Sequence, residues 1–375
     1  MYLTFYKKTH NIQTISFSDI TNLTEPIHTY YKYTVKIDNP TPFINLTQTQ
    51  QTLIKQYEKE LENAHKILTP FKDNYKTQYY TFSIPKSSGG MRTIHAPVTQ
   101  FKEALTKVKN ILENDIKCLP HDAAYAYVKG RSILDALKIH QNNQSNWYLK
   151  LDLTDFFDKC TPEDLYNKLI NLYPFYYFST FHKTILQQIL QICSLNNGLP
   201  QGTPISPILT NLYMVDIDYK IRKKLTRLNN NHFVYTRYAD DMLISCKSTF
   251  NWSEIENAIQ ELVTPHQIKK AKTRYGSRAG SNWNLGLMLN KDNNITLGFK
   301  RKKLLNAMLN NFCKDYKYKT RSELSHEEIE QIYSLQGQLS FLQQVEPDYA
   351  AHLLQKYANK YHMHILQQFK VLLNP

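Results

Sequence analysis

The chain has 375 residues, of which 42% are hydrophobic and 13% aromatic. This composition excludes a disordered chain and a small disulfide-stabilised fold, because it supplies enough apolar side chains for two or three packed lobes. The formal net charge of +14 favours a polyanionic partner, with nucleic acid ahead of an anionic membrane surface. The five cysteines are widely spaced and no run of about 18 apolar residues occurs, so we expect a cytoplasmic protein without a membrane segment.

In chain order, residues 1–75 carry no chemical motif, and their clearest element is a polar helix over 48–68 that ends before a proline. An alternating run over 79–84, a glycine turn and a second short run predict a β-hairpin with Lys86 and Arg92 beside its turn. A packing helix is predicted over 98–117, and a strand over 147–153. One apolar helix is predicted from Ser206 to about Leu225, then a strand, an acidic turn and a strand over 233–245. Beyond Phe299 the pattern indicates basic helices.

Acidic residues follow two of these predicted strands. Asp240 and Asp241 lie at the predicted hairpin tip, where adjacent carboxylates repel each other by roughly 1 kcal/mol or more unless a cation screens them. Asp152 ends the other strand, with Asp155 close behind it. If the strands are neighbours, three carboxylates converge, which suits Mg²⁺ and the two-ion chemistry of nucleotidyl transfer. The alternative is an ordinary polar turn, because a Tyr-x-Asp-Asp tetrapeptide alone is a weak pattern.

Further blocks of sequence accompany these acids in an order that is typical of one family. They are Ile84-Pro85-Lys86 with Gly89-Gly90-Met91-Arg92, Lys150-Leu151-Asp152-Leu153-Thr154-Asp155-Phe156-Phe157, Gly198-Leu199-Pro200-Gln201-Gly202-Thr203-Pro204-Ile205-Ser206-Pro207, Tyr238-Ala239-Asp240-Asp241, Lys272-Thr273 and Leu285-Gly286-Leu287. Over about residues 84–290 the chain therefore resembles a bacterial reverse transcriptase of the retron and group II intron-like superfamily. The resemblance implies an α+β right-hand polymerase with fingers, an antiparallel-sheet palm and a helical thumb. It implies an N-terminal extension of unknown role at 1–75, fingers and palm at 76–299, and a basic helical thumb at 300–375.

The resemblance also implies roles for individual residues. Asp152, Asp240 and Asp241 would bind two Mg²⁺ ions, with Mn²⁺ as a substitute. Lys272 would protonate the leaving pyrophosphate, although Lys269 and Lys270 are alternatives. Contacts to the incoming dNTP are implied for Lys86, Arg92, Asp155, Phe156, Phe157 and Gln201. Phe157 would be the gate against a ribose 2′-OH, or else an ordinary core aromatic. Primer and template contacts are implied for Tyr238, Leu285, Gly286, Leu287, Lys302 and Lys303.

The activity implied is RNA-directed DNA polymerisation, with dNTPs as substrates, an RNA template, a DNA product and a dedicated structured non-coding RNA. Two departures from the retron pattern, Asp135-Ala136 with His140 and Asn284-Leu285-Gly286, point away from an orthodox retron and toward relatives associated with antiphage defence. Group II intron enzymes usually continue into a longer maturation region, for which we expect no room after Phe341.

Other interpretations stay open at this point. An RNA-dependent RNA polymerase would share the palm acids but lack the aromatic gate. A protein-primed or template-independent polymerase would need no annealed primer. A catalytically silent RNA-binding scaffold would keep the basic surface and tolerate loss of Asp240. A protein partner or a homo-oligomer is compatible with each of these.

Overall fold

The computed structural model describes residues 2–7, 31–36, 43–86, 89–229, 233–278, 282–284 and 286–374. The strands are β1 Tyr2–Lys7, β2 Tyr31–Lys36, β3 Tyr79–Pro85, β4 Met91–Pro97, β5 Trp147–Asp152, β6 Val234–Tyr238, β7 Asp241–Cys246, β8 Arg274–Ser277, β9 Asn282–Asn284, β10 Leu287–Leu289 and β11 Ile295–Thr296. The α-helices are α1 Gln48–Leu68, α2 Thr99–Asn110, α3 Ile133–Asn142, α4 Pro162–Leu169, α5 Thr180–Ile192, α6 Ser206–Tyr213, α7 Val215–Asn229, α8 Trp252–Val263, α9 Phe299–Asp315, α10 His326–Val345, α11 Pro347–Tyr361 and α12 Ile365–Leu373. The fold is therefore of the α+β class.

The chain folds into two compact units, each assembled from separate stretches of sequence. The first contains Met1–Ser132, Leu149–Ile244 and Asn251–Arg274, and the second contains Ile133–Tyr148, Ser245–Phe250 and Tyr275–Pro375. The division of the chain at residues 75 and 299 that the sequence predicts stays a prediction.

Helix α1 belongs to the first unit and begins at a capping box. The Thr47 side chain accepts from the Gln50 backbone N–H, and the Gln50 side chain accepts from the Thr47 backbone N–H, so two donors at the helix start are satisfied. Ile54, Leu61 and Leu68 are fully buried, and because they are seven residues apart they lie on one face of the helix. This apolar face packs α1 against α5, as the predicted helix over 48–68 requires.

A four-stranded sheet carries the acidic residues, with the strands in the order β6-β7-β5-β8. Strands β6 and β7 form the hairpin predicted around the acidic turn, with Ala239 and Asp240 as its turn residues. The side chains of β5 and β7 are almost all buried, because the sheet is covered on both faces. Asp152, at the end of β5, and Asp241, at the start of β7, thus lie on neighbouring strands.

The second unit contains the C-terminal helices α9 to α12, which pack around a shared apolar core. Leu309 of α9, Leu339 of α10, Leu353 of α11 and Phe369 of α12 are each at most 2% exposed. Phe312 packs against Phe369 with ring centroids 4.5 Å apart and a tilt of 30° between the ring planes. These helices confirm the predicted helical pattern beyond Phe299.

Two predicted helices differ from the structure. The helix expected from Ser206 to Leu225 is two helices, α6 and α7, which are interrupted at Met214. The buried face continues across the break, so hydrophobic periodicity alone could not reveal it. The helix expected over 98–117 is α-helical only to Asn110 and then widens into a π-turn over Ile111–Asp115. Among the described residues, no helix is both long and apolar enough to cross a membrane.

Candidate active site

The acidic turn lies against the end of strand β5. The backbone N–H of Leu153 donates to the carbonyl of Asp240 at 3.2 Å, which joins the end of β5 to the turn. Asp152 is 6% exposed and is the last residue of β5, whereas Asp241 is the first residue of β7. The neighbouring strands therefore bring together the three carboxylates that the sequence pattern grouped.

A buried arginine, Arg237, supports the backbone of this turn. Arg237 and Asp218 are both fully buried, and Nε and Nη2 of Arg237 donate to both carboxylate oxygens of Asp218 at 2.8–3.1 Å. Nη1 of Arg237 donates to Asn211 Oδ1 at 3.2 Å and to the carbonyl of Ala239 at 3.0 Å. Ala239 adopts a left-handed backbone conformation, with φ of 58°. The guanidinium thus fixes the turn residue that immediately precedes Asp240.

Burial and neighbouring carboxylates raise the pKa values of both aspartates at this turn. Burial is the largest cause of the raised pKa of Asp240, and the nearby charges of Asp152 and Asp241 raise it further. The pKa of Asp241 is also raised, first by burial and then by Asp152, although Lys150 opposes the shift. Buried like charges are destabilising without a cation, so the site favours positive charge.

Two lysine ammonium groups supply positive charge to these acids. Lys150 Nζ lies 3.0 Å from Asp241 Oδ2, and Lys272 Nζ lies 2.7 Å from Asp152 Oδ2. Burial lowers the pKa of Lys272, but the hydrogen bond to Asp152 and the three carboxylates outweigh it, and the pKa is raised overall. Of the three candidate lysines, Lys272 is therefore the one that the structure brings to the acids.

The donor set fits a hard divalent cation. Carboxylate oxygens are the ligands that Mg²⁺ and Mn²⁺ prefer, and the ammonium groups of Lys150 and Lys272 stand where positive charge is stabilised. In the described part of the chain, no three His, Cys, Asp or Glu side chains are already grouped as a metal site. Metal ions would therefore have to compete with the lysines for the oxygens of Asp152 and Asp241.

The predicted glycine and proline loop around Gln201 is held between two other segments. Leu199 N–H donates to the Phe157 carbonyl at 2.9 Å, and His95 N–H on strand β4 donates to the Gln201 carbonyl at 2.8 Å. Gly202 has φ of +113°, and a Cβ there would lie 2.8 Å from Ile94 Cγ2. Only glycine allows this close approach, so the loop holds the half-buried Gln201 in one place.

The segment after Asp152 carries the predicted gate. Asp155 is exposed in a left-handed conformation with φ of 47°, while Phe156 is buried. Phe157 is half-buried and meets Phe156 edge-on, with ring centroids 5.6 Å apart. Phe156 thus packs in the core and cannot itself contact a nucleotide face to face, whereas Phe157 retains accessible surface.

The two predicted triphosphate cations lie on the β3–β4 hairpin. Its register pairs Ile84 with Arg92, and Lys86 closes the turn by accepting from Gly89 N–H and donating its own N–H to the Gly90 carbonyl. Both cations are exposed. Lys86 lies within electrostatic range of Asp158, which follows Phe157 in the chain. The hairpin therefore places Lys86 near the segment that carries Phe157, the predicted gate against a 2′-OH.

The predicted primer residues fall mainly in the second unit. Gly286 has φ of +99°, and a Cβ there would lie 2.7 Å from Arg301 Nη1. Leu287 is fully buried in β10, whereas Leu285 lies outside the described residues. Tyr238, in the first unit, is half-buried at the end of β6.

The two predicted thumb lysines have different surroundings. Lys302 Nζ pairs with Glu346 Oε2 at 2.8 Å and lies 4.8 Å from the centre of the Tyr349 ring. The side chain of Lys303 is exposed. Lys302 is thus engaged inside its own unit, and Lys303 remains accessible to a partner.

Sequence reasoning missed several residues of the site. Arg237 could have been noticed, because an arginine inside an otherwise apolar strand needs a buried partner. Lys150 lies in the motif around Asp152, but the sequence assigns it no role.

Carboxylates at the ends of neighbouring strands and an exposed cationic hairpin, within an α+β fold, are compatible with a nucleotidyl-transferring polymerase. The model of the reverse transcriptase (RNA-dependent DNA polymerase) family matches residues 84–289, which is more than half of the chain. The chain belongs to this family, and it is an RNA-directed DNA polymerase that takes an RNA template. Members of the family generally use divalent metal ions.

Its curated relatives include retron enzymes. The retron Ec83 reverse transcriptase of Escherichia coli is 32% identical over 298 residues, covering 75% of this chain and 87% of the relative. The retron Ec73 reverse transcriptase of the same species is 36% identical over 44% of this chain and 52% of the relative. The retron Mx65 reverse transcriptase of Myxococcus xanthus is 28% identical over 74% of this chain and 64% of the relative. The chain is thus a bacterial reverse transcriptase of the retron type.

Solved structures with a similar fold include telomerases. A Candida albicans telomerase solved with a fragment of telomeric RNA has a TM-score of 0.42 at 14% identity, covering 78% of this chain and 60% of that one. Apo telomerase from Candida tropicalis has a TM-score of 0.43 at 12% identity, covering 80% and 64%. The family assignment rests on the sequence match.

The departures noted in the sequence do not set the chain apart from retron-type enzymes, contrary to our expectation. His140 is fully buried, and its Nδ1 lies 2.6 Å from Ser245 Oγ. Ser245 in turn donates to Ser145 Oγ at 2.7 Å. His140 therefore has a packing role within the second unit.

Proposed function

We propose that the protein extends a primer 3′-OH with dNTPs by a two-Mg²⁺ mechanism at Asp152, Asp240 and Asp241, with Mn²⁺ as an alternative ion. The observation that carries this proposal is the arrangement of the three acids on neighbouring strands, with raised pKa values at Asp240 and Asp241. Bound ions would neutralise the developing negative charge on the attacking and leaving oxygens.

The reaction forms a bond from the primer 3′-oxygen to the α-phosphorus of the dNTP and breaks the bond from that phosphorus to the β-phosphate oxygen. Pyrophosphate leaves, and the proton of the 3′-hydroxyl passes to solvent water. Such transfer depends mainly on positioning and charge stabilisation, so a site of fixed carboxylates, cations and backbone groups is adequate. The Arg237 cluster contributes by holding the turn that presents Asp240.

Each remaining residue of the site has a proposed task. The exposed cations of the hairpin, Lys86 and Arg92, would hold the triphosphate by charge-assisted hydrogen bonds. Lys272, whose pKa is raised, stays protonated at neutral pH and can donate a proton to pyrophosphate. Phe157 would exclude a 2′-OH, with Phe156 as the ring that supports it. The remaining dNTP contacts would come from the Asp155 backbone and from Gln201.

The primer and template would be bound by Tyr238, by the hairpin at Leu285, Gly286 and Leu287, and by the thumb. Within the thumb we favour Lys303, because Lys302 is already paired with Glu346. The buried Leu287 would act by shaping its hairpin and not by direct contact.

We further propose that the template is part of a dedicated structured non-coding RNA and that the enzyme serves antiphage defence in the cytoplasm. The net charge of +14 supports a large polyanionic partner. All five cysteines are free and buried, which suits a reducing compartment. The curated relatives carry retron names, which supports an association with a dedicated RNA.

The test is dNTP incorporation by the purified protein together with its co-purifying nucleic acid. One arm is pretreated with ribonuclease, and one uses Asp240→Ala. We expect both arms to lose incorporation, after which the bound RNA is sequenced. Incorporation that persists in the ribonuclease arm would argue against a dedicated RNA. Incorporation that persists in the mutant arm would contradict the proposed site and favour an RNA-binding scaffold.

A further inference from the structure

One exposed aromatic residue, Tyr127, lies near the acidic turn. Tyr127 is 51% exposed, although it lies in the compact unit that contains the three acids. Its pKa is raised, first by partial burial and then by the Asp240 carboxylate and Tyr238, while Arg92 opposes the shift. The phenol is thus within electrostatic range of a proposed metal ligand, a proposed primer contact and a proposed triphosphate cation.

The backbone around Tyr127 is fixed by the same buried cluster that holds the acidic turn. Asn211 Nδ2 donates to the carbonyl of Ala126 at 2.9 Å, and Asn211 Oδ1 accepts from Arg237 Nη1 at 3.2 Å. The same Nη1 donates to the carbonyl of Ala239. One amide and one guanidinium therefore bridge the residue before Tyr127 and the residue before Asp240.

The segment is also joined to strand β6 by its main chain. Tyr125 N–H donates to the Arg237 carbonyl at 2.8 Å, and Arg237 N–H donates to the Ala123 carbonyl at 2.7 Å. Beyond Tyr127, Arg131 Nη1 donates to the carbonyl of Ala124 at 2.6 Å. The loop is thus held on both sides of Tyr127, which fixes where the backbone places this residue.

The conformation of Tyr127 carries a cost that the surroundings must offset. Its φ of 60° lies in the left-handed region, which a bulky side chain rarely adopts. Such outliers persist where the structure around them fixes the backbone, and they cluster at functional sites. At this left-handed residue the aromatic ring is exposed and is not buried in the core.

We propose that Tyr127 forms part of the nucleotide subsite, where its ring packs against the nascent base pair between the primer terminus and the incoming dNTP. This inference rests on the proposed function and adds a residue to it. An aromatic platform suits a polymerase, because every base has a π-face and stacking tolerates all four bases.

The expected change in the KM for dNTPs follows from the strength of base–aromatic stacking. Removing an aromatic platform weakens the binding of a base by about fivefold to a hundredfold. We therefore expect Tyr127→Asn to raise the KM for dNTPs at least about fivefold on a fixed RNA template and DNA primer, with a smaller change in kcat. Asparagine accepts a left-handed backbone, so this variant should keep the thermal midpoint of the wild type.

Two further variants separate the possible causes. Tyr127→Phe keeps the ring, and we expect a KM within about twofold of the wild type. Tyr318→Asn removes a thumb tyrosine that is 85% exposed, and it serves as the matched control with an unchanged KM. Asp240→Ala provides the inactive reference.

The possible outcomes are distinct. A raised KM in Tyr127→Asn, with Tyr127→Phe and Tyr318→Asn unchanged, supports the subsite. A wild-type KM in Tyr127→Asn, while Asp240→Ala is inactive, overturns the subsite and leaves the proposed function intact. An equal loss in Tyr127→Phe and Tyr127→Asn would contradict stacking by the ring. No incorporation by the wild type on any primed RNA template would instead defeat the proposed function.

Discussion

For the buried Arg237–Asp218 pair we predict that stability and catalytic activity can be changed separately. Both side chains are fully buried, and Arg237 makes two different kinds of contact, one with the Asp218 carboxylate and one with the Ala239 carbonyl. Removing one partner of a buried ion pair costs about 3–5 kcal/mol, because the other charge stays buried without compensation. Arg237→Met should therefore lower the free energy of unfolding by about that amount, which is a large share of the total stability of a typical domain.

Removing the whole cluster should restore the fold. In a triple variant, Arg237→Met is combined with Asp218→Leu and with Tyr235→Phe, because the Tyr235 hydroxyl donates to Asp218 at 2.7 Å. Replacing a buried ion pair by apolar groups is often neutral or stabilising, so the urea midpoint should return most of the way to the wild-type value. Activity should not return, because the Ala239 carbonyl still lacks its donor. We expect kcat to remain about a hundredfold low, as a displacement of about 1 Å at a reacting group implies.

The assay pairs urea unfolding with steady-state primer extension on the same preparations. Arg222→Met is the matched control, because Arg222 lies on the same helix α7 as Asp218 and pairs with Asp122 at 2.7 Å but does not contact the turn. We expect it to keep the wild-type kcat. A triple variant with wild-type kcat would refute the conclusion that Arg237 positions the acidic turn.

Three further predictions concern other residues. Phe157→Ala should lower the preference for dNTPs over rNTPs by about a hundredfold in single-nucleotide incorporation, and an unchanged ratio would remove Phe157 as the gate. Lys303→Ala should reduce the slope of log Kd against log salt for a primed template by about 0.9, whereas Lys302→Ala should leave that slope unchanged and lower the thermal midpoint, because it leaves Glu346 without its 2.8 Å partner. Burial lowers the pKa of His140 to about 3, so the unfolded chain takes up a proton below about pH 6.5 and the folded chain does not. Stability should therefore fall by up to about 1.4 kcal/mol per pH unit between 6.5 and 3, and His140→Gln should show a shallower fall of the urea midpoint between pH 7.5 and pH 5.5.

The acids could be predicted from sequence because their signal is local. Asp152 ends one apolar run and Asp240 and Asp241 interrupt another, so strand periodicity and charge placed them without any knowledge of the contacts. The β3–β4 hairpin was accessible for the same reason, since a glycine turn lies between two alternating runs.

What the sequence could not reveal depends on long-range contacts. Lys302 and Lys303 are adjacent and chemically alike, and they differ only because Glu346, 44 residues beyond Lys302, pairs with one of them. The position of Tyr127 depends on Asn211, which lies 85 residues beyond Ala126. No local periodicity encodes either contact.

The most direct test of the central claim is templated extension at the three carboxylates. A DNA primer annealed to an RNA of defined sequence is extended with dNTPs and Mg²⁺ by the wild type and by Asp240→Asn, and thermal midpoints are measured in a chelator. We predict a product complementary to the RNA with the wild type and none with the variant. The variant should melt no earlier than the wild type, because the raised pKa of Asp240 means that its buried charge destabilises the metal-free fold. Complementary product made by a folded Asp240→Asn protein would contradict the account.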